Sequence, residues 1–331
     1  MLGIILVLIS ALCLAIQNVA LKVIVSPQII LGQFSTGGWV SPTPEHSLLL
    51  LNLRIFLMLI LVLALSPKLY PKAALELRQT FNLQNIFSRS KRSRYVLQTC
   101  WSGCCLFVAQ TLLYVAISYL PTGIAVTIFF VHPALTVLLA WGIWKEQPKP
   151  VQLGVMVIVF VGVYLTSPLT GTLNNHQGLT GVAAALIAGI CFAGYSLTTQ
   201  QCLQGNSLPN NTTHQPLLHP ISFSIAVFTI VLILTSLVLL FIPIQIDPYQ
   251  WQVIWIMSGF SAIAAMIAYV LNNFGIRLIG ASKASLISAM TPILTTLLAL
   301  LLLQESLIAS QGIGILLVTG GIALLSFSEA Q

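Results

Sequence analysis

The side chains in this chain that could do chemistry are mostly amides, hydroxyls and a few bases, and they sit inside long apolar stretches. Gln17 and Asn18 precede Lys22, which lies one helical turn beyond Asn18 on the same face. Gln110 and Tyr114 stand at i, i+4, and Arg54, His132, Tyr195, Ser196, Tyr269, Asn272, Asn273 and Thr291 complete the set. Groups of this kind bind a polar solute through hydrogen bonds. Bond-breaking chemistry would need more. The six acidic residues (Glu45, Glu76, Glu146, Asp247, Glu305, Glu329) all fall in loops or at the ends of apolar stretches. There is no HExxH zinc motif, no paired aspartate and no Gly-x-Ser-x-Gly elbow. The reading is therefore of a protein that is not an enzyme and carries no cofactor. Six cysteines (Cys13, Cys100, Cys104, Cys105, Cys191, Cys202) show no metal-ligand spacing and read as small packing residues.

Polar groups are costly in hydrocarbon and usually face a cavity. Gln17, Asn18, Arg54, Gln110, Tyr114, His132, Tyr195, Asn272, Asn273 and Thr291 are accordingly the candidate substrate-binding residues. Any one amide or hydroxyl could instead serve an interhelical hydrogen bond. Arg54 stays open between two roles, a planar clamp for a carboxylate or phosphate and a side chain that snorkels to the nearby membrane surface. His132 is open too, between a proton-coupling imidazole and a neutral, hydrogen-bonded core residue.

The elements that must hold these residues are membrane helices. Charged residues make up 6% of the 331 and hydrophobic ones 57%, with a mean hydropathy of +0.99, whereas a soluble chain is about 25% charged. Ten stretches of spanning length are expected, near 2–24, 47–66, 97–119, 122–143, 151–168, 179–199, 221–242, 252–274, 281–303 and 311–328. The first lacks a small-residue cleavage site and reads as a helix. Eleven of the 13 basic residues fall in three loops: 68–94, 145–149 and 277–283. The loops between them contain no Lys or Arg. By the positive-inside rule both termini and these basic loops are cytoplasmic, in a cell membrane, and 25–46 faces outward. The net charge of +7 thus points to anionic headgroups at Arg89–Arg94 and away from nucleic acid. Asn210-Asn211-Thr212-Thr213 has the form of a glycosylation acceptor, but this topology puts it inside.

The chain also repeats itself. Slid by 159 residues, Trp101–Leu165 lies on Phe260–Leu324 without a gap and with 17 identities, including Pro133 on Pro292, Glu146 on Glu305, Gln152 on Gln311 and Gly162 on Gly321. At a slide of 178, Gly3 meets Gly181, Cys13 meets Cys191, and Gln17-Asn18 meet Tyr195-Ser196. A five-span unit followed by its copy must sit in opposite orientations, the inverted-repeat layout of carriers. Pro133 and Pro292 each remove a backbone bond at matching depth, either kinking helices for packing or opening a mid-membrane site. Glu146 and Glu305 end helices at opposite surfaces, where each could hold the N-terminus of the following helix. Gly-rich fifth and tenth spans (Gly154, Gly162, Gly312, Gly314, Gly320, Gly321) suit close packing.

On these residues the chain resembles the drug/metabolite transporter superfamily, and within it the ten-span EamA-type carriers. The motifs are Pro133–Glu146 and Pro292–Glu305, with Asn18, Lys22 and Arg54 also of the residue types common there. The resemblance implies one EamA-like unit in 3–166 and another in 179–327, departing from the compact pattern in the long segments 25–46 and 68–95. It implies an all-α membrane protein of ten helices that moves a small polar metabolite by alternating access, as an exporter. With Lys22, Arg54 and His132 the ionisable groups inside the spans besides Tyr and Cys, the substrate should be anionic or zwitterionic. The other readings are a cationic drug efflux carrier, weakened by the missing buried carboxylate, and a non-transporting receptor or scaffold with a dry interior. The expected partners are that small molecule and the lipid bilayer, with a homo-oligomer left open.

Overall fold

In the computed structural model the described residues are 2–30, 34–41, 43–81, 91–144, 150–166, 176–204, 218–242, 244, 246–288, 290–305 and 307–329. Arg89, Lys145, Glu146, Lys149, most of the junction between the repeats and the Asn210-Asn211 pair lie outside them. The helices are α1 (Leu2–Val25), α2 (Pro44–Leu69), α3 (Ala73–Thr80), α4 (Lys91–Tyr119), α5 (Thr122–Phe129), α6 (His132–Trp144), α7 (Pro150–Thr166), α8 (His176–Gln204), α9 (Pro220–Leu239), α10 (Gln250–Ile279), α11 (Ala281–Ile287), α12 (Met290–Leu303) and α13 (Ala309–Glu329). Eight apolar helical stretches among the described residues are long enough to cross a membrane, with α5–α6 and α11–α12 each supplying one. Shorter apolar stretches, Leu153–Leu165 and Ala309–Gly321, lie in α7 and α13. This is an all-α, multi-pass membrane protein.

Two segments read as irregular contain structure. Residues 25–46 hold an antiparallel hairpin of β1 (Pro27–Ile30) and β2 (Phe34–Gly37), in which Pro27 pairs with Gly37 and Ile30 with Phe34. Gly37 and Gly38 take positive φ where the hairpin returns to α1, and Gly38 N donates to Val23 O at 3.0 Å. The basic segment 68–95 holds α3, docked on the start of α9: Glu76 accepts from His219 N at 3.0 Å and from the Ser222 hydroxyl. That carboxylate satisfies one amide and one hydroxyl at a helix N-terminus.

The prolines break helices where kinks were one expectation. α5 ends at Phe129 and α6 begins at His132, one residue before Pro133; α11 ends at Ile287 and α12 begins at Met290, two before Pro292. Proline tolerates the first helical turn and disfavours helical backbone in the residue before it. Each proline therefore starts a new helix in place of bending an old one. Gly189 of α8 lies against the first break, where an added Cβ would stand 2.8 Å from Phe129 O.

Helix packing comes in exchangeable pairs. α1 packs on α10 and α8 on α4; α12 packs on α1 and α6 on α8; α9 packs on α4 and α2 on α10. α2 with α9 and α7 with α13 form their own counterparts. Two matched glycines make close approaches at equivalent places. An added Cβ at Gly3 would lie 2.8 Å from Ile279 Cγ2, and one at Gly181 2.8 Å from Leu120 Cγ.

Candidate functional site

The cavity that gathers most of the polar candidates lies where α1, α4, α8 and α10 meet the two helix breaks. Gln17, Asn18, Gln110, His132, Asn272 and Thr291 all line it. Tyr269 and Ser196 join them, with Ser285 and Ser288 from the broken α11–α12 stretch. The breaks matter because each turns a helix end, with its freed backbone and adjacent polar side chain, toward the interior. The cavity measures about 30 Å³. A water needs roughly 10–15 Å³ on this measure, so there is room for about two. A metabolite could enter only if the walls part.

Several lining atoms are buried without a partner among the described residues. They are Gln17 Nε2, Thr291 Oγ1 and both ring nitrogens of His132. An unpaired buried polar group costs about 1–3 kcal/mol, a cost that waters or a polar solute in the cavity would relieve. The His132 ring packs among Phe129, Phe130 and Phe192, with centroids 5.1, 4.8 and 4.7 Å away. It is thus a buried imidazole in an aromatic wall, without the hydrogen bond that the core reading supposed. This wall was not legible as part of a site. Phe129 and Phe130 immediately precede His132-Pro133, which is the one signal that could have pointed to them.

Four candidates stand outside the cavity lining. Tyr195 donates to Asn273 Oδ1 at 3.0 Å, and Asn273 Nδ2 donates to Ser224 Oγ at 2.9 Å. These two tie α8, α10 and α9 together as interhelical hydrogen bonds. Arg54 lies ten residues into α2 and is 1% exposed. It does not snorkel. Its Nη2 donates to Gln110 Oε1 at 2.8 Å, and Gln110 Nε2 donates in turn to the Tyr269 hydroxyl. The Arg54 Cζ stands 4.9 Å from the Tyr114 ring centroid, a cation–π distance. Tyr114's hydroxyl is near enough to interact with the guanidinium and with Ser261, yet Arg54 Nε and Nη1 meet no hydrogen-bond acceptor. Among the described residues no carboxylate pairs with Arg54. An arginine inside a span costs roughly 2.5–3.5 kcal/mol on insertion scales, and one neutral amide is a weak return for that.

Lys22 belongs to a different structure. Its Nζ donates to Ile117 O at 3.0 Å and Leu120 O at 2.9 Å, closing the end of α4. Beside it the Glu305 carboxylate accepts from Thr122 N at 3.0 and 3.2 Å, and from the Thr122 hydroxyl at 3.0 Å, capping α5. At the opposite end Gln204 Nε2 donates to Ile276 O at 2.8 Å and Arg277 O at 3.2 Å, closing α10. Gln200 Oε1 accepts from Ala281 N at 2.9 Å, capping α11. Lys22 and Gln200 are counterparts at the 178-residue slide, as Ile117 and Ile276 are at 159.

The profile of the EamA-like transporter family matches residues 179–327. The chain is 35% identical over 331 residues to the uncharacterized transporter sll1319 of Synechocystis sp., spanning 100% of this chain and 95% of that protein. It is 28% identical over 235 residues to the uncharacterized transporter YwfM of Bacillus subtilis, covering 67% of this chain and 70% of the other. It is 26% identical over 223 residues to the threonine/homoserine exporter RhtA of Escherichia coli K12, covering 66% of this chain and 65% of RhtA. A solved crystal structure shares the fold with a TM-score of 0.54 at 15% identity, over 100% of this chain and 98% of that one. With a full-length transporter relative, the family profile and a bundle of apolar spanning helices in agreement, the chain belongs to the EamA-like transporter family.

Proposed function

We propose that this protein is an exporter that carries a small anionic or zwitterionic metabolite across the cell membrane by alternating access. Ten spans form two inverted repeats, 3–166 and 179–327, with both termini in the cytoplasm; α7 and α13 serve as the fifth and tenth spans. The exchangeable packing pairs and the matched glycines Gly3 and Gly181 support the repeat. So do helix breaks that fall at equivalent places beside Pro133 and Pro292. Inverted repeats meeting at broken helices are the arrangement in which a substrate is held near mid-membrane while one half rocks against the other.

The observation that carries the reading is the cavity between the halves. Unpartnered buried atoms of Gln17, His132 and Thr291 converge there with Asn18, Gln110 and Asn272. Its small volume fits a closed intermediate, sealed at the Lys22 end and at the Gln200 end. The export direction is supported by RhtA relatives, which are named as threonine/homoserine exporters. The test is a metabolite screen of export and uptake in cells with and without the protein, with Asn272→Leu and Thr291→Val as cavity variants. Net release of a polar metabolite that both variants abolish supports the proposal. Unchanged export in the variants removes the cavity from it, and labelling of a cysteine placed at Ser90 from outside intact cells removes the topology.

A further inference from the structure

The guanidinium of Arg54 is buried behind the cavity wall, where Nη2 donates to an amide that itself lines the cavity, and Nε and Nη1 find no acceptor among the described residues. We infer that Arg54 is the anchor for a substrate carboxylate, and that Gln110 is an internal stand-in for that carboxylate. This inference rests on the cavity being the transport site. Gln110 Oε1 occupies Nη2 as one oxygen of a carboxylate would, while Nε and Nη1 on either side of it find no acceptor. An arginine offers two-toothed edges that match a planar carboxylate. A carboxylate that turned Gln110 aside would fill Nη2 together with one of the free nitrogens. Gln110 is suited to move, because its other bond is to the Tyr269 hydroxyl, which also faces the cavity.

The same geometry selects the charge. Of the other two basic groups inside the spans, Lys22 is committed to the carbonyls of Ile117 and Leu120, and His132 sits in a wall of phenylalanines. One fixed cation suits one negative charge, which favours a monocarboxylate over a phosphate dianion. The remaining lining supplies neutral groups from Gln17, Asn18 and Asn272 for the rest of the molecule. An apolar wall of Phe129, Phe130 and Phe192 faces them.

The test uses purified full-length protein in lipid vesicles loaded with a mixture of common amino acids, small hydroxy and keto monocarboxylates, and sugar phosphates. Species released by the wild type and not by empty vesicles are identified, and each released acid is then compared with its amide. The expected result is release of monocarboxylates and exclusion of their amides. Arg54→Gln should lower transport about 100-fold, as when one partner of a buried charge pair is removed, and Arg54→Lys should restore part of it. Gln110→Glu guards against a variant that fails to fold. It keeps the cation, places a permanent carboxylate on it, and should raise thermal stability while abolishing transport. Equal transport by wild type and Arg54→Gln, or undiminished transport by Gln110→Glu, would overturn the anchor while leaving the cavity reading intact. Release of sugar phosphates alone would overturn the carboxylate. Release of nothing would overturn both the anchor and the carrier.

Discussion

Among the described residues, full charges hold two helix termini at one end of the bundle, and amides hold the counterpart termini at the other; Glu146, the counterpart of Glu305, lies outside them. Lys22 and Glu305 close α4 and cap α5; Gln204 and Gln200 close α10 and cap α11. Charge-assisted hydrogen bonds are roughly twice as strong as neutral ones. A cation at a helix C-terminus and an anion at an N-terminus each add favourable dipole interaction. The repeat thus preserves the places that are held and varies the strength of the hold. Among the described residues the Lys22 end is the more tightly held. In the proposed topology that end faces outward, so the protein should open more readily to the cytoplasm, which suits loading an exported solute.

Breaking the strong seal should have the largest effect. Glu305→Ala leaves Thr122 N without its acceptor and removes the charge acting on Lys22. The expected cost is about 2 kcal/mol, or about a 30-fold faster reaction of a cavity cysteine with a thiol reagent added at the Lys22 side. Gln200→Ala should do the same at the other side more weakly, by about 1 kcal/mol, or about fivefold. Equal effects at the two ends would remove the asymmetry. Gln200→Glu tests it in the opposite sense: a charge on Ala281 N should tighten the weak seal by about 0.3–1 kcal/mol, slowing labelling from that side.

The glycine pair supplies a control in which the ends should agree. Gly3→Ala and Gly181→Ala each force a Cβ to within 2.8 Å of a neighbouring side chain. Overpacking of this kind costs about 1–3 kcal/mol, and thermal denaturation should show similar losses for both. A large difference would mean that the frameworks differ as well as the caps.

The smallest effect is expected at the α3 dock. The His219 ring stacks on Tyr70, with centroids 3.9 Å apart, and meets Phe274 edge-on at 5.4 Å. Burial pulls its pKa from 6.5 down to about 4, with the Arg277 charge adding to the shift. The folded state therefore favours neutral imidazole, and the undocked state binds the proton first as pH falls. The dock should be at full strength above about pH 6.5 and weaken as pH drops toward 4. Amide exchange in 73–80, corrected for intrinsic rates, should be faster at low pH in the wild type. His219→Gln should remove that pH dependence, and its persistence would assign the effect to another group.

The sequence made the spanning helices legible because hydrocarbon selects residues one at a time. Pro133 and Pro292 could each be read without a neighbour. The cavity lining was legible only where polarity itself was the signal, as at Gln17, Asn18, Gln110 and Asn272. Tyr195 and Asn273 carry the same polarity and spend it on each other, a pairing set by which faces of α8 and α10 meet. Lys22 shares a helical face with Asn18 but does not line the cavity. A turn of rise along α1 carries its ammonium to the end of α4. Arg54 could have pointed outward or inward, and the packing of α2 against α4 and α10 decides for inward. Phe129, Phe130 and Phe192 were hidden among 15 phenylalanines, since an apolar ring reads the same against lipid or cavity.

The central claim is that one cavity between the two halves is reached alternately from the two sides. The most direct measurement places a single cysteine at Thr291→Cys in a protein freed of its six native cysteines. A membrane-impermeant thiol reagent is then applied from either side, with and without a transported solute. The account predicts labelling from both sides, faster from the cytoplasm at rest and slowed by solute. A cysteine reached from neither side, or from only one under every condition, would contradict it.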